Sequence, residues 1–505
     1  MEEMKNPAEE LDLSEETAAE AQVSAKKNGR KKAVWVVLVV VLLVLAVAAG
    51  VGLFLWKSKT KDDATDETKT LFHDGLLIAY FGKKYGFINE SGQWVVNPQF
   101  DDVYYFQENG LARVKSGEKW GCIDKNGIYV INPQFDSLSN FQKNGLAVVK
   151  LGDKYGYIDE KGQYVINPQF DLAMDFQESG LACVWSGDKC GYIDKTGQYV
   201  INPQFDYAAD FQENGLACVL NDDKWGYINE KGQYVVNPQF DFVESFLGNF
   251  QKGSLVRVKT GDVWGYINEA GQYVINPQFD FAGEFQENGL ACVGTGSKYG
   301  YINRDGQYVI NPQFDSAREF QSNGLAWVES GDRWGCIDKT GQYVINPKFN
   351  FFEEFQENGL ALVEMGEKYG FIDETGEYVV KPQFDEAYGF SEGVAVVAQG
   401  DSYGLIDEKG TYVVNPMYPN LAHSMVNGRI AFVNERESLG YLDQNGEEVI
   451  SAQFRCTLEE KVFTGTDFYD DGYAIVRSKD KCGVIDKDGN IVINPQFDGL
   501  GGWGD

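Results

Sequence analysis

A unit of roughly 35 residues recurs twelve times from about Leu71 to the end of the chain, and a period of that size means a solenoid, propeller or array. Its clearest copy runs Trp225-Gly-Tyr-Ile-Asn229, then Glu-Lys-Gly232, then Gln-Tyr-Val-Val-Asn-Pro-Gln-Phe240-Asp241. The units start at Tyr85, Trp120, Tyr155, Cys190, Trp225, Trp264, Tyr299, Trp334, Tyr369, Tyr403, Leu439 and Cys482. Residues repeated in every unit do one structural job twelve times, so function is sought in what the units build or in where they differ.

Within a unit the chain reads as an antiparallel meander. Leu111-Ala-Arg-Val-Lys115, Trp120-Gly-Cys-Ile-Asp124 and Ile128-Tyr-Val-Ile-Asn-Pro-Gln-Phe135 are strand-like, joined by short turns that contain glycine. Asn132-Pro133 belongs at a strand end or an edge, because proline donates nothing to a ladder. Residues 136–145 join one unit to the next, with one helical turn expected there. Both strand faces are apolar, which predicts sheets covered on both sides. Two architectures fit: an open superhelix of about twelve three-stranded units and one or more closed propellers. The chain holds complete units with no split unit to seal a ring, and propellers typically have four to eight blades. The open array is therefore the expectation, with the propeller as its alternative.

Residues 33–56 carry 24 residues with no charge, long enough to span a bilayer. Trp56 is followed by charged residues rather than a cleavage site, so the segment reads as a transmembrane helix and not a signal peptide. Lys26, Lys27, Arg30, Lys31 and Lys32 on one side outnumber Lys57, Lys59 and Lys61 on the other, placing the N-terminus in the cytoplasm and the array outside. Residues 1–32 then form a disordered cytoplasmic tail, 57–70 a polar spacer and 71–505 the repeat array. The net charge is −32, of which −30 falls on residues 57–505, and so acidic a surface repels phosphate backbones. Nucleic acid is excluded as a partner on that ground.

The acids and thiols invite chemistry but read first as construction. Asp124, Asp159, Asp194, Asp338, Asp373 and Asp486 sit in an Asp-x-x-Gly pattern, with Asn at 229, 268 and 303. A calcium loop needs more oxygens than this supplies, whereas a turn accepts Asp or Asn equally. Asp136, Asp171, Asp206, Asp280 and Asp315 follow the Phe of Pro-Gln-Phe; they either line up as a carboxylate row or start a turn, and the turn is preferred. Cys183, Cys218 and Cys292 share one slot and Cys122 and Cys336 another, while Cys190 and Cys482 replace Trp or Tyr, a pattern of small apolar fillers. A bridge between adjacent slots such as Cys183 and Cys218 stays open, and no Cys-x-x-Cys pair supports zinc. His73 and His423, the two histidines, lie in no nucleophile pattern. No catalytic, cofactor or metal residue is assigned.

The pattern aromatic-Gly, Ile-Asp/Asn, Gly, Val-Ile-x-Pro-x-Phe resembles the bacterial WG-repeat (KWG-repeat) family over about residues 71–505. The resemblance implies a β-rich repeat protein, often attached to the cell envelope, and implies no established reaction. The unit at Leu439 departs from it with Ser-Ala-Gln-Phe454, and the stretch from Met417 to Asp471 breaks the rhythm, as a binding insertion or a cap would. Anchor, spacer and missing catalytic patterns together suggest a non-catalytic binding or scaffold module for envelope glycan or protein. A transmembrane sensor is the alternative, and an envelope hydrolase a distant third.

Overall fold

The computed structural model describes residues 69–243, 255–455 and 467–501. The tail at 1–32, the apolar segment at 33–56 and spacer residues 57–68 lie outside the described residues. Among the described residues no helix is long and apolar enough to cross a membrane. The helical turn expected between units is absent too: those residues form a two-residue strand and a turn.

The first unit supplies β1 (Leu76–Phe81), β2 (Lys84–Asn89) and β3 (Trp94–Phe100). After one residue the chain enters β4 (Asp102–Val103), then β5 (Ala112–Ser116), β6 (Lys119–Ile123) and β7 (Tyr129–Phe135). The second sheet has the order β4-β5-β6-β7, so a short strand following one unit becomes the edge of the next unit's sheet. Among the described residues this pattern gives twelve sheets, eleven of four strands and one of three. The three-strand meander read from the sequence is present in each; the fourth strand is the two-residue piece after Phe-Asp.

The register explains why glycine follows the aromatic residue. Trp120 pairs with Phe135 and Cys122 with Ile131, so two steps along β6 face four along β7 and the Asn-Pro-Gln stretch arches over Gly121. In the fifth sheet the same arch would put a Cβ on Gly226 only 2.5 Å from the Val236 carbonyl oxygen. The proline sits in the outermost strand of the sheet, as expected. The sheets are covered on both sides as expected, the fifth packing Ala217, Val219 and Ile228 on the fourth blade and Cys218, Tyr227 and Val236 on the sixth, and only the edge strand opens. Tyr234 and Val235, at 39% and 40% exposed, are half open at the start of the edge strand, whereas Val236 is buried.

The apolar cores lie between neighbouring sheets. Ile78, Phe87, Val96 and Phe100 of the first sheet close against Val103, Phe106, Val114 and Ile123 of the second. Gly127, at φ +79°, packs on the Val96 side chain, and Tyr129 meets Phe100 edge to face at 6.1 Å. The same pair of contacts joins the twelfth sheet to the first, with Gly92 on Ile493 and Trp94 edge to face with Phe497 at 5.3 Å. The strand Gly499–Leu500 then adds to β1, pairing Leu500 with Ala79 and Gly499 with Tyr80. The array is therefore a closed, propeller-like ring of twelve small blades, and of the two architectures the propeller alternative holds over the open superhelix. A two-residue strand suffices for closure, because each blade already borrows its edge from the preceding unit.

Candidate binding clefts between the blades

The residues common to all units are occupied with construction. Asp124 Oδ1 accepts the N–H groups of Asn126 and Ile128 at 2.9 and 2.8 Å, and Asn229 does the same for Lys231 and Gln233 at 3.0 Å each. The Asp-x-x-Gly series thus forms turns in which Asp and Asn are interchangeable. The acids after Pro-Gln-Phe join blades. Asp136 Oδ1 takes the Lys119 ammonium of its own unit at 2.6 Å, and its Oδ2 accepts the Gly152 N–H of the next hairpin at 2.8 Å. Asp171 does likewise with Lys154 and Gly187, Asp206 with Lys189 and Asp222, and Asp315 with Lys298 and Gly331. Asp280 keeps the Gly296 N–H, while Val263 stands where its lysine would be. Hydrogen bonds from lysine and glycine hold the Asp136, Asp171 and Asp315 carboxyls below the usual carboxylate value. Every carboxylate in the supposed row is committed to a hairpin.

The thiols are interior as well. Cys122, Cys183, Cys190, Cys218, Cys292, Cys336 and Cys482 are free and buried, and Cys456 lies outside the described residues. Burial pushes the Cys122, Cys218 and Cys292 thiols up to about 12, which leaves almost no thiolate for reaction.

What differs between blades is the lining of the clefts that separate them. Equivalent positions are fixed by one recurring backbone bond: Tyr104 N to Arg113 O, Ser139 N to Val148 O, Met174 N to Cys183 O, Arg318 N to Trp327 O and Tyr388 N to Val396 O. Several clefts are filled by large side chains. Arg113 lies 3.9 Å from the Tyr104 ring centre and donates to Leu138 O at 2.6 Å, sealing the second blade against the third. Trp327 stacks on Phe352 of the ninth blade at 4.2 Å, its buried Nε1 finding no hydrogen-bond partner. His423 stacks on Tyr388 at 3.9 Å beside Glu386, which accepts the Tyr403 hydroxyl at 2.7 Å; burial draws the imidazole below its usual value against the pull of Glu386. The other histidine, His73, lies against Tyr105 at 3.9 Å.

Between the third and fourth blades the same positions hold small residues, and a cavity of about 200 Å³ opens. The third blade lines it with Ser137, Ser139, Val148, Lys150 and Tyr155, and the fourth with Ala173, Met174 and Asp175. The Ser139 hydroxyl accepts Val148 N–H and donates to Asp175 Oδ1, both at 2.9 Å. Partial burial raises the Asp175 carboxyl, opposed by the Ser139 bond and by the Arg113 charge. The Lys150 ammonium lies 5.4 Å from the Tyr155 ring centre. None of these residues stands out in a single unit. The signal appears only when units are aligned column by column, as Ser137 and Ser139 where neighbours carry Asp102 and Tyr104, or Leu172 and Met174.

The twelve blades share one register, and the sequence comparison decides the family. The WG containing repeat matches eleven segments covering residues 85–436 and 483–505. The chain belongs to the WG containing repeat family. Through residue 402 the WG repeat as matched runs from one aromatic-Gly to the next, so these matches span the arch, the short edge strand and the following hairpin. Its gap at 437–482 holds the Leu439 unit and most of the off-rhythm stretch. That unit still forms a full four-stranded WG blade, closing with Glu448–Arg455. No curated protein matches the chain in sequence. Among solved structures, a eukaryotic initiation factor is 11% identical with a TM-score of 0.30, over 84% of this chain and 96% of that one. The extracellular domain assigned to a hybrid two component system of B. thetaiotaomicron is 10% identical with a TM-score of 0.23, over 83% and 70%. BamB from Moraxella catarrhalis is 11% identical with a TM-score of 0.24, over 71% and 95%. Superpositions this loose carry nothing about ligand or partner.

Proposed function

We propose that this WG-repeat ring is a non-catalytic binding or scaffold module, held at a membrane by residues 33–56 and displayed outside the cytoplasm to contact envelope glycan or protein. The observation that carries this reading is the division of labour within the unit. The recurring acids, glycines and Pro-Gln-Phe residues are consumed by turns, hairpin caps and blade packing, while variation collects in clefts that open to solvent. Proteins that work through loops and grooves on a repeated scaffold distribute their residues in this way. The test is retention of glycan and protein fractions of the envelope on the immobilised full-length chain. Selective retention of one fraction supports the reading, and retention of neither overturns it. Protease digestion of intact cells checks the topology, with the ring expected to be cut only from outside.

The cavity between the third and fourth blades favours a second reading, a transmembrane sensor that receives a small ligand in the ring and reports through residues 1–32. Deleting that tail then abolishes the response while leaving ligand binding intact. A response that survives the deletion removes this reading.

A further inference from the structure

The cavity between the third and fourth blades carries one cation and one anion that do not pair with each other. Lys150 forms no salt bridge among the described residues, though its charge acts on the Asp136 carboxylate; its ammonium lies over Tyr155. Asp175 gives Oδ1 to the Ser139 hydroxyl, and its other oxygen takes no hydrogen bond among the described residues. Arg113 exerts a field on that carboxylate but spends its own hydrogen bond on Leu138 O. A half-buried carboxylate and an ammonium thus line one small space without bonding each other, each with capacity left for a ligand.

The geometry points to a site for a small zwitterion of the α-amino acid class, its ammonium on Asp175, its carboxylate on Lys150 and a short apolar side chain against Tyr155, Val148 and Met174. The size agrees. The space of about 200 Å³ lies below the ~300–1,000 Å³ usual for drug-sized ligands and suits a smaller one. A neutral sugar would offer neither side chain an ion pair. Aromatic and apolar walls with a few placed polar groups are the usual make-up of a small-molecule site.

The repeat supplies its own control. The position of Ser137 is taken by Phe242 in the sixth blade, next to Lys259 and Trp264, which correspond to Lys150 and Tyr155. Ser137→Phe therefore fills the cleft with a side chain that another blade of the ring already carries at that place.

Titration calorimetry of the full-length chain at pH 7 uses L-leucine and L-valine as probes, with N-acetyl-L-leucine, L-leucinamide and glucose as controls. Saturable binding of at least one amino acid is expected. Loss of roughly tenfold or more in affinity is expected for Asp175→Asn, for Lys150→Gln and for either blocked leucine, since each removes one charge pair. Ser137→Phe is expected to abolish the heats while its thermal unfolding stays that of the wild type. No heat from either amino acid, equal binding of glucose, or undiminished binding to a folded Ser137→Phe chain overturns the proposal. The envelope-binding reading stands or falls by a separate measurement and is untouched by these outcomes.

Discussion

Gly226 shows how one missing methyl group fixes the register of a blade. The edge strand arches across it, with the Val236 carbonyl oxygen 2.5 Å and the Pro238 nitrogen 2.7 Å from where a Cβ would stand, so alanine has to displace backbone. Overpacking of this kind costs about 1–3 kcal/mol, and Gly226→Ala is expected to lower the urea midpoint accordingly. Gly117 is a contrast: its φ is +62° with nothing near its missing Cβ, and Asp222 holds the equivalent hairpin position at φ 50°. Gly117→Asn is therefore expected to stay within about 0.5 kcal/mol of wild type. The hairpin acids act at this scale too. Asp171 is held below its ordinary value of 3.8 by the Lys154 and Gly187 hydrogen bonds. A carboxyl with a depressed folded value stabilises the fold above its unfolded value and loses that contribution as pH falls through the folded one. The stability gap between wild type and Asp171→Asn should be constant above about pH 5 and close below 3.8. A gap unchanged down to pH 2 would deny that the carboxylate caps the next hairpin.

Between strands, the columns that vary do so in pairs. On neighbouring strands Cys183 faces Tyr192, Cys218 faces Tyr227 and Cys292 faces Tyr301, a small residue opposite a tyrosine. In two blades a large first member faces a cysteine, Arg113 opposite Cys122 and Trp327 opposite Cys336, whereas Arg257 faces Tyr266. The Trp327–Cys336 pair keeps the volume of a close-packed cleft near that of a Cys–Tyr pair. Cys336→Tyr should consequently destabilise by about 1–3 kcal/mol through overpacking against Trp327. The double change Trp327→Cys with Cys336→Tyr recreates the seventh blade's pair and should recover most of that loss, giving a favourable coupling in a double-mutant cycle. Additive losses would show that the two positions do not share space. The cysteines were legible in the sequence as fillers because they occupied recurring slots. Their partners were not, because which residues face each other across the hairpin, as Trp327 and Cys336 do, is set by the turn between the strands. The cleft at Ser137 and Asp175 was hidden for the same reason: two sheets contribute to it, and only the register says which residues meet.

At the scale of the whole ring, closure rests on very few residues. Twelve equal units were plain in the sequence; that they close was not, because the sealing strand is only Gly499–Leu500 and looks like the frayed end of the last unit. Asp498 repeats across the seam what its counterparts do elsewhere, pairing with Lys481 of the twelfth blade and accepting the Gly82 N–H of the first at 2.8 Å. On the other side of the seam Asp470 and Asp471 accept the Lys69 and Phe72 N–H groups at 2.6 and 3.1 Å, so the first and last described segments are tied twice. The closed form works against self-repulsion, since residues 57–505 carry −30 charges. Ending the chain after Phe497 removes the sealing strand and leaves the edge of β1 unpaired, while Trp94 and Phe497 keep their ring contact. Such a chain is expected to open at the seam, with a larger radius of gyration by X-ray scattering at low salt and a partial return towards the wild-type value as salt screens the repulsion. Its exposed strand edge should also promote association at high concentration. A truncated chain with the scattering curve and unfolding temperature of the wild type would mean that side-chain packing and the Asp470 and Asp471 hydrogen bonds hold the ring, and that the short strand is incidental to closure.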